Sequence, residues 1–330
     1  MLIAGDIGGT KTVLAIYSPQ KGVKSPLVEK TFPSGDYVSF EALVRDFLAE
    51  ADLPLSHGCF GVAGPVVGGR VKVMNLPWIM EEGALRQALG LESVRIINDV
   101  EAVAYSLSAL ASEDLVSLNR GERVEHGPIA VVAPGTGLGI GFLLWDGARY
   151  RAHASEGGHC DFAPAGDLES GLHRSLREKF GHVSWERVCS GMGIAHIYEY
   201  LRETGVGRDS AAHVEAIDAA ADMTPVVVEA AVSHTSADDR CGRAMEIFVS
   251  TLARKAGNVA LMIMATGGVY LGGGLPPRIL PRLEGGRFMR PFADKGRTSE
   301  ILGRMPVQVI MNPAAALLGA ARHGLDAMEF

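Results

Sequence analysis

Leu2-Ile3-Ala4-Gly5-Asp6-Ile7-Gly8-Gly9-Thr10-Lys11-Thr12-Val13-Leu14-Ala15-Ile16-Tyr17 opens the chain as an apolar run, a glycine-rich turn and a second apolar run. Both runs are too short for amphipathic helices and suit adjacent strands joined by a tight turn. The arrangement returns at Ile129–Ala133, Pro134-Gly135-Thr136-Gly137-Leu138-Gly139 and Ile140–Trp145, and a third glycine turn stands at Gly272-Gly273-Gly274. Without a Cβ, such turns let backbone N–H groups approach phosphate oxygens closely. A P-loop is excluded: counted from Gly5, Lys11 and Thr12 fall in place, but Thr10 occupies the second glycine. A dinucleotide fingerprint fails at Gly135 and Gly137, because Ile140 stands where its third glycine belongs. Tight turns with no ligand remain an alternative for each turn taken alone. Three of them in one chain suggest a nucleotide held between two domains.

Aligning the first two turns exposes a weak internal repeat. Leu2–Gly5, Lys11–Tyr17 and Leu27–Phe32 read as three strands, and Ile129–Ala133, Ile140–Trp145 and Arg149–Ala154 repeat them. Helix is expected at Phe40–Ala51, Val100–Leu110, Ala211–Asp222 and Cys241–Met264, and strand at Gly58–Val62, Val94–Ile97 and Gly267–Leu271. Leu275-Pro276-Pro277 opens a further helix. A closing helix is framed by Asn312 as N-cap, Pro313 at its first position and Gly324 as C-cap. The reading is an α/β chain of two domains with one duplicated topology and a cleft between them. The boundaries are 1–109 plus 312–330 for a small α/β domain and 110–311 for a large one.

At 330 residues, 47% hydrophobic and 21% charged, the chain has the profile of a globular protein large enough for two cores. Its net charge of −7 argues against nucleic-acid binding, which favours a basic stripe. Cys59, Cys160, Cys189 and Cys241 lie far apart, fitting reduced thiols better than disulfides or a zinc site. No signal peptide and no membrane span is read, so a cytoplasmic location is expected.

Two clusters of polar residues carry the chemistry. Asn98-Asp99 ends the apolar run Val94–Ile97 and precedes a helix. It reads either as a helix cap or as a ligand pair at a strand's carboxyl end, where α/β sheets bind ligands. In Glu156-Gly157-Gly158-His159, two glycines hold an acid and a histidine in one tight loop, which is otherwise a surface turn. Glu186 is either a first-turn helix glutamate or a third polar contact. A metal set is not completed by His159 and Cys160, and no G-x-S-x-G elbow is present.

Taken together and in order, these motifs resemble bacterial glucokinases. The resemblance rests on Gly5–Thr10, Ile97-Asn98-Asp99, Pro134–Gly139, Ser155–His159, Glu186-Arg187-Val188-Cys189-Ser190-Gly191 and Gly267–Gly274, and runs to Asp294-Lys295-Gly296-Arg297. It implies the hexokinase/actin-like, ribonuclease H-like phosphotransferase fold. The related repressor/kinase group carries a cysteine-rich zinc cluster after its histidine. Only Cys160 stands there, so the zinc-free glucokinase branch is implied, without a helix-turn-helix.

The resemblance implies transfer of the ATP γ-phosphate to the 6-hydroxyl of D-glucose. Asp99 would be the catalytic base, and Asn98, Glu156, His159 and Glu186 would join it in binding the sugar. The nucleotide would lie on Gly5, Asp6, Ile7, Gly8, Gly9, Thr10, Gly135, Thr136 and Gly137, with Gly272, Gly273 and Gly274 near the adenosine. No residue is expected to bind metal directly; Asp6 would orient Mg²⁺ through water. A homodimer is the expected assembly. A kinase for another hexose and a non-catalytic sugar-binding protein of the same fold stay open.

Overall fold

The computed structural model of the chain describes residues 1–51, 53–233 and 239–328. The chain forms two compact units: Met1–Asp114 with Gly141–Ala154 and Asn312–Phe330, and Leu115–Ile140 with Ser155–Met311.

The first unit begins with strands β1 (Leu2–Ile7), β2 (Lys11–Tyr17) and β3 (Val28–Pro33), then helix α1 (Phe40–Ala49) and strand β4 (His57–Val62). A small hairpin comes next, β5 (Arg70–Lys72) and β6 (Ile79–Glu81), then α2 (Glu82–Leu89), β7 (Ser93–Asn98) and α3 (Asp99–Ser106). The main sheet is ordered β3-β2-β1-β4-β7. β1 runs antiparallel to β2 and parallel to β4, and β4 runs parallel to β7. As a central strand, β1 is apolar along nearly its whole length, the pattern of a strand covered on both faces.

Helix α1 starts where the Ser39 side chain accepts from the Ala42 N–H at 3.3 Å. Its Phe40, Leu43, Val44 and Phe47 recur at helical spacing and are all buried, in one core with Ile3, Ile7, Phe60 and Trp78. It ends at Ala49, two residues before the expected limit.

The second unit carries β8 (Leu115–Asn119), β9 (Ile129–Pro134), β12 (Gly268–Leu271) and β13 (Val307–Ile310). β12 pairs in parallel with β9 and β13, and β13 pairs antiparallel with β8. Strands β10 (Leu138–Trp145) and β11 (Tyr150–Ser155) complete a sheet ordered β11-β10-β9-β12-β13-β8. Counted from its meander edge, this order repeats that of the first sheet, so the duplication seen in sequence is a duplication of topology. The helices are α4 (Gly166–Phe180), α5 (Gly191–Glu203), α6 (Ala211–Ala219), α7 (Thr224–Ser233) and α8 (Arg240–Ile263). Four short ones succeed them: α9 (Leu275–Arg278), α10 (Leu280–Leu283), α11 (Met289–Ala293) and α12 (Ser299–Arg304). No helix among the described residues is long and apolar enough to cross a membrane.

The closing helix, α13 (Ala315–Met328), belongs to the first unit, where it packs on α3, β1 and β4. Asn312 accepts from the Ala314 N–H at 2.9 Å in the turn ahead of the helix, which starts at Ala315, so Pro313 lies in that turn and not at the first helical position. Gly324, however, is not its C-cap: the helix runs on past it to Met328. A Cβ there would lie 2.7 Å from Leu2 Cδ1 and 2.9 Å from Cys59 Cβ, so this glycine lets the helix sit directly on the sheet. Gly319, one turn and a residue earlier, serves the same end against α3, where a Cβ would overlap the Ala102 carbonyl.

Candidate active site

In the first unit the sheet register assembles an acid pair. Asp6 lies opposite Gly61 on β4, which lies opposite Ile97 on β7, and the next row holds Ile7, Val62 and Asn98. Asp6 and Asn98-Asp99 therefore occupy carboxyl ends of parallel strands with a single strand between them, about 10 Å from β1 to β7. Asn98 Oδ1 accepts from the N–H of Val100 at 2.9 Å and of Glu101 at 3.4 Å, and its Nδ2 donates to the Gly64 carbonyl at 3.0 Å. The helix cap is thus Asn98. Asp99 is the first helical residue, accepting from the Val100 N–H at 2.9 Å.

A carboxylate at a helix N-terminus is ordinarily held low. Here burial dominates, and the Asp6 charge adds to it, so the Asp99 carboxyl is pushed up to about 6. Asp6 is pushed up to about 6 as well, by burial and against the pull of Lys11. Two half-buried like charges at strand ends give one carboxyl the affinity for a proton that a general base near neutral pH requires. The turn beside them is pinned by a residue that sequence reading missed. Gly8 N–H donates to Lys11 O at 3.0 Å, while Ser34 donates from Oγ to Gly8 O at 2.8 Å and from its backbone N–H to Thr10 O at 3.0 Å. Only Pro33-Ser34-Gly35, a turn-forming run after β3, could have signalled it.

β11 ends at Ser155, where the chain enters the second unit, and Gly157–His159 form a single 3-10 turn in which His159 N–H donates to Glu156 O at 2.9 Å. His159 Nε2 stands 3.6 Å from Glu156 Oε2, and its Nδ1 stands 3.9 Å from Glu186 Oε1. Glu186 is not in the first turn of a helix: α5 starts at Gly191, capped by Ser190, whose Oγ accepts from Gly193 N–H at 3.2 Å. It is tied to the histidine loop through its own N–H, which donates to Gly158 O at 2.9 Å. Its Oε2 accepts from the Leu138 N–H at 3.0 Å. Gly137 makes room for that contact, since a Cβ there would stand 2.5 Å from Glu186 Oε2. The glycine turn and the acid–histidine cluster are therefore one construction, with Glu186 the least exposed of its three side chains at 18%.

The second and third glycine turns also share a wall. β9 and β12 are parallel neighbours, and Gly272 N–H donates to Val132 O at 2.9 Å. Gly273 takes a φ of 80°, a conformation that favours glycine. A pocket of about 960 Å³ opens beside them, lined by Gly135, Thr136 and Gly274 and walled by α5, α7 and α9. Gly191, at the start of α5, donates its N–H to Gly135 O at 2.8 Å, and Thr224 Oγ1 donates to Gly191 O at 3.1 Å. Sequence reading supplied the glycine rim of this pocket and the α9 wall, and missed α5 and α7 as helices.

A two-sheet duplicated α/β fold with glycine turns and polar clusters at its strand ends defines a phosphotransferase of the hexokinase/actin-like class. The family model described as Glucokinase matches residues 3–327, and the chain belongs to that family. It is 39% identical to a glucokinase of Synechocystis sp. over 97% of this chain and 96% of that one. It is 37% identical to a glucokinase of Nostoc sp. over 97% and 98%. Among solved structures, a glucokinase from an Antarctic psychrotroph matches with a TM-score of 0.81 at 31% identity, covering 98% of both chains. A glucokinase from Streptomyces griseus, solved with glucose and AMPPNP, shares the fold with a TM-score of 0.64 at 20% identity.

Proposed function

We propose that this protein phosphorylates D-glucose at its 6-hydroxyl with ATP and Mg²⁺, with Asp99 as the base. The observation that carries this reading is the Asp99 carboxyl at the start of α3, raised to about 6 beside Asp6. A carboxylate of that basicity can accept the hydroxyl proton as the oxygen attacks, and Asn98 holds the helix end that positions it. Asn98 Nδ2 donates to the Gly64 carbonyl at 3.0 Å and its side chain also hydrogen-bonds the Asp99 carboxylate, which holds the proposed base beside the sugar site. Glu156, His159 and Glu186 supply acceptors and a donor for the remaining hydroxyls, their spacing set by the 3-10 turn and by Leu138.

Gly5, Asp6, Ile7, Gly8, Gly9 and Thr10 and the turn Gly135–Gly137 would line the phosphate path, and Gly272, Gly273 and Gly274 the adenosine end. The fit of the nucleotide rests on the 960 Å³ pocket that Gly135, Thr136 and Gly274 rim. The fit of Mg²⁺ rests on Asp6, a half-buried carboxylate whose proton affinity burial raises and whose charge raises that of Asp99, an arrangement that a divalent cation relieves. When bound, Mg·ATP supplies the phosphoryl group and neutralises its charge; phosphoryl transfer otherwise asks the protein mainly for positioning.

A coupled assay with glucose, ATP and Mg²⁺, repeated over a panel of hexoses and amino sugars, tests the reading. A site that bonds each hydroxyl rejects sugars lacking one, so kcat/KM should peak at glucose. A higher value for mannose or an amino sugar would move the substrate, and no turnover of any sugar would favour a binding protein. A homodimer is proposed for the assembly, to be read by sedimentation.

A further inference from the structure

We propose that His196 reads the purine of the phosphoryl donor, its Nε2 accepting from a 6-amino group, so that the pocket selects adenine over 6-oxo purines. The inference rests on the proposed function, in which a nucleotide fills the pocket beside Gly135 and Gly274.

Helix α5 leaves the phosphate turn at Gly191, whose N–H is bonded to Gly135 O. At 1.5 Å per residue, His196 lies about 7.5 Å further along the helix, away from that turn. Met192 and Ala195 of α5 and Val228 and Val232 of α7 give the pocket an apolar stretch of wall, and Glu199, Glu229 and Arg278 stand among its polar lining. Such a wall suits the faces of a base, and a few fixed polar atoms then decide which base. His196 is the fixed one. Its Nδ1 stands 2.9 Å from the Arg187 carbonyl, which can only accept, so Nδ1 carries the hydrogen. The ring is held further against the Phe180 ring, with centroids 5.2 Å apart. A neutral imidazole with Nδ1 protonated has one polar atom left, Nε2, and it is an acceptor.

A 6-amino purine brings a donor to such an atom. A 6-oxo purine brings a second acceptor, leaving two lone pairs facing each other without water, and losing that match costs about 1–3 kcal/mol, or roughly 5- to 150-fold. Glu199, three residues further on the same helix, is also acceptor-only when ionised and cannot compensate for a 6-oxo group.

The test compares ATP with inosine triphosphate, which carries a 6-oxo group and a hydrogen on N1 in place of the 6-amino group and bare N1. With the full-length enzyme at saturating glucose, kcat/KM should favour ATP by about 10- to 100-fold. His196→Ala should bring that ratio to within about threefold of unity, and His196→Asn, whose amide can still donate to Arg187 O, should do the same. Calorimetry with ADP and inosine diphosphate reads the preference without turnover and should show the same loss. A ratio unchanged in both variants, one that collapses instead in Arg278→Ala, or equal ADP and inosine diphosphate affinities in the unaltered protein would overturn the inference. Clear ADP preference with no phosphorylation of any sugar would leave His196 as the base reader and strike the proposed kinase function instead.

Discussion

The two units treat the same kind of residue in opposite ways. In the first, Asp6 and Asp99 stand at strand ends one strand apart, half-buried, and each holds a proton more tightly than an ordinary carboxyl. In the second, Glu156 is open to solvent beside His159, and Glu186 is bound by a backbone N–H and faces the same histidine. One arrangement makes carboxyls of raised proton affinity; the other sets carboxylates beside a histidine and a backbone donor. In the proposed function this contrast gives proton transfer to the first unit and recognition to the second, although all four residues are acids in short polar motifs.

The assignment breaks most directly at Asp99. Asp99→Asn should lower kcat by about 10²–10⁴-fold while circular dichroism stays unchanged, because Asn98 holds the cap. Near-full kcat in this variant would leave the first unit without its base. Glu186→Ala should weaken glucose binding by about 10- to 100-fold and leave nucleotide affinity intact, as calorimetry would show. Gly137→Ala should weaken glucose binding more mildly, since its new Cβ would displace the Glu186 carboxylate rather than delete it, and, lying in the proposed phosphate turn, should weaken nucleotide binding as well. Unaltered glucose affinity in both would return Glu186 to a purely structural tie with Leu138.

The pH dependence sharpens the contrast. A protonated Asp99 cannot accept, so kcat/KM for glucose should fall about tenfold per pH unit below about 6, and Glu156→Gln should not move that limb. Because Asp6 and Asp99 interact, the limb belongs to the pair. The smallest effect is on stability. Burial and Asp6 raise the folded-state pKa of Asp99 above 3.8, so ionising it costs the fold stability as pH rises from about 4 through about 6. Asp99→Asn should therefore raise Tm at pH 8 and leave it unchanged near pH 3; a lowered Tm at pH 8 would mean that the carboxylate stabilises the helix end.

Much of this molecule is legible along the chain. The two apolar–glycine–apolar runs determine two hairpins, and their repetition determines a duplicated topology, because strand period and turn chemistry depend on residues a few positions apart. The same holds for the Asn98 cap and for the helical face Phe40, Leu43, Val44 and Phe47. Contacts through space decided the rest. Gly324 has the local look of a helix stop, yet the helix continues because Leu2 and Cys59 lie under it. Glu186 has the look of a helix start, yet it is fixed by Leu138, 48 residues away. Nor does any spacing announce that α5 and α7 wall one pocket, or that Asp6 raises Asp99 across a strand. Local pattern sets which backbone shapes are cheap; burial and the field of distant charges, which set pKa values and carve pockets, exist only once the chain has folded.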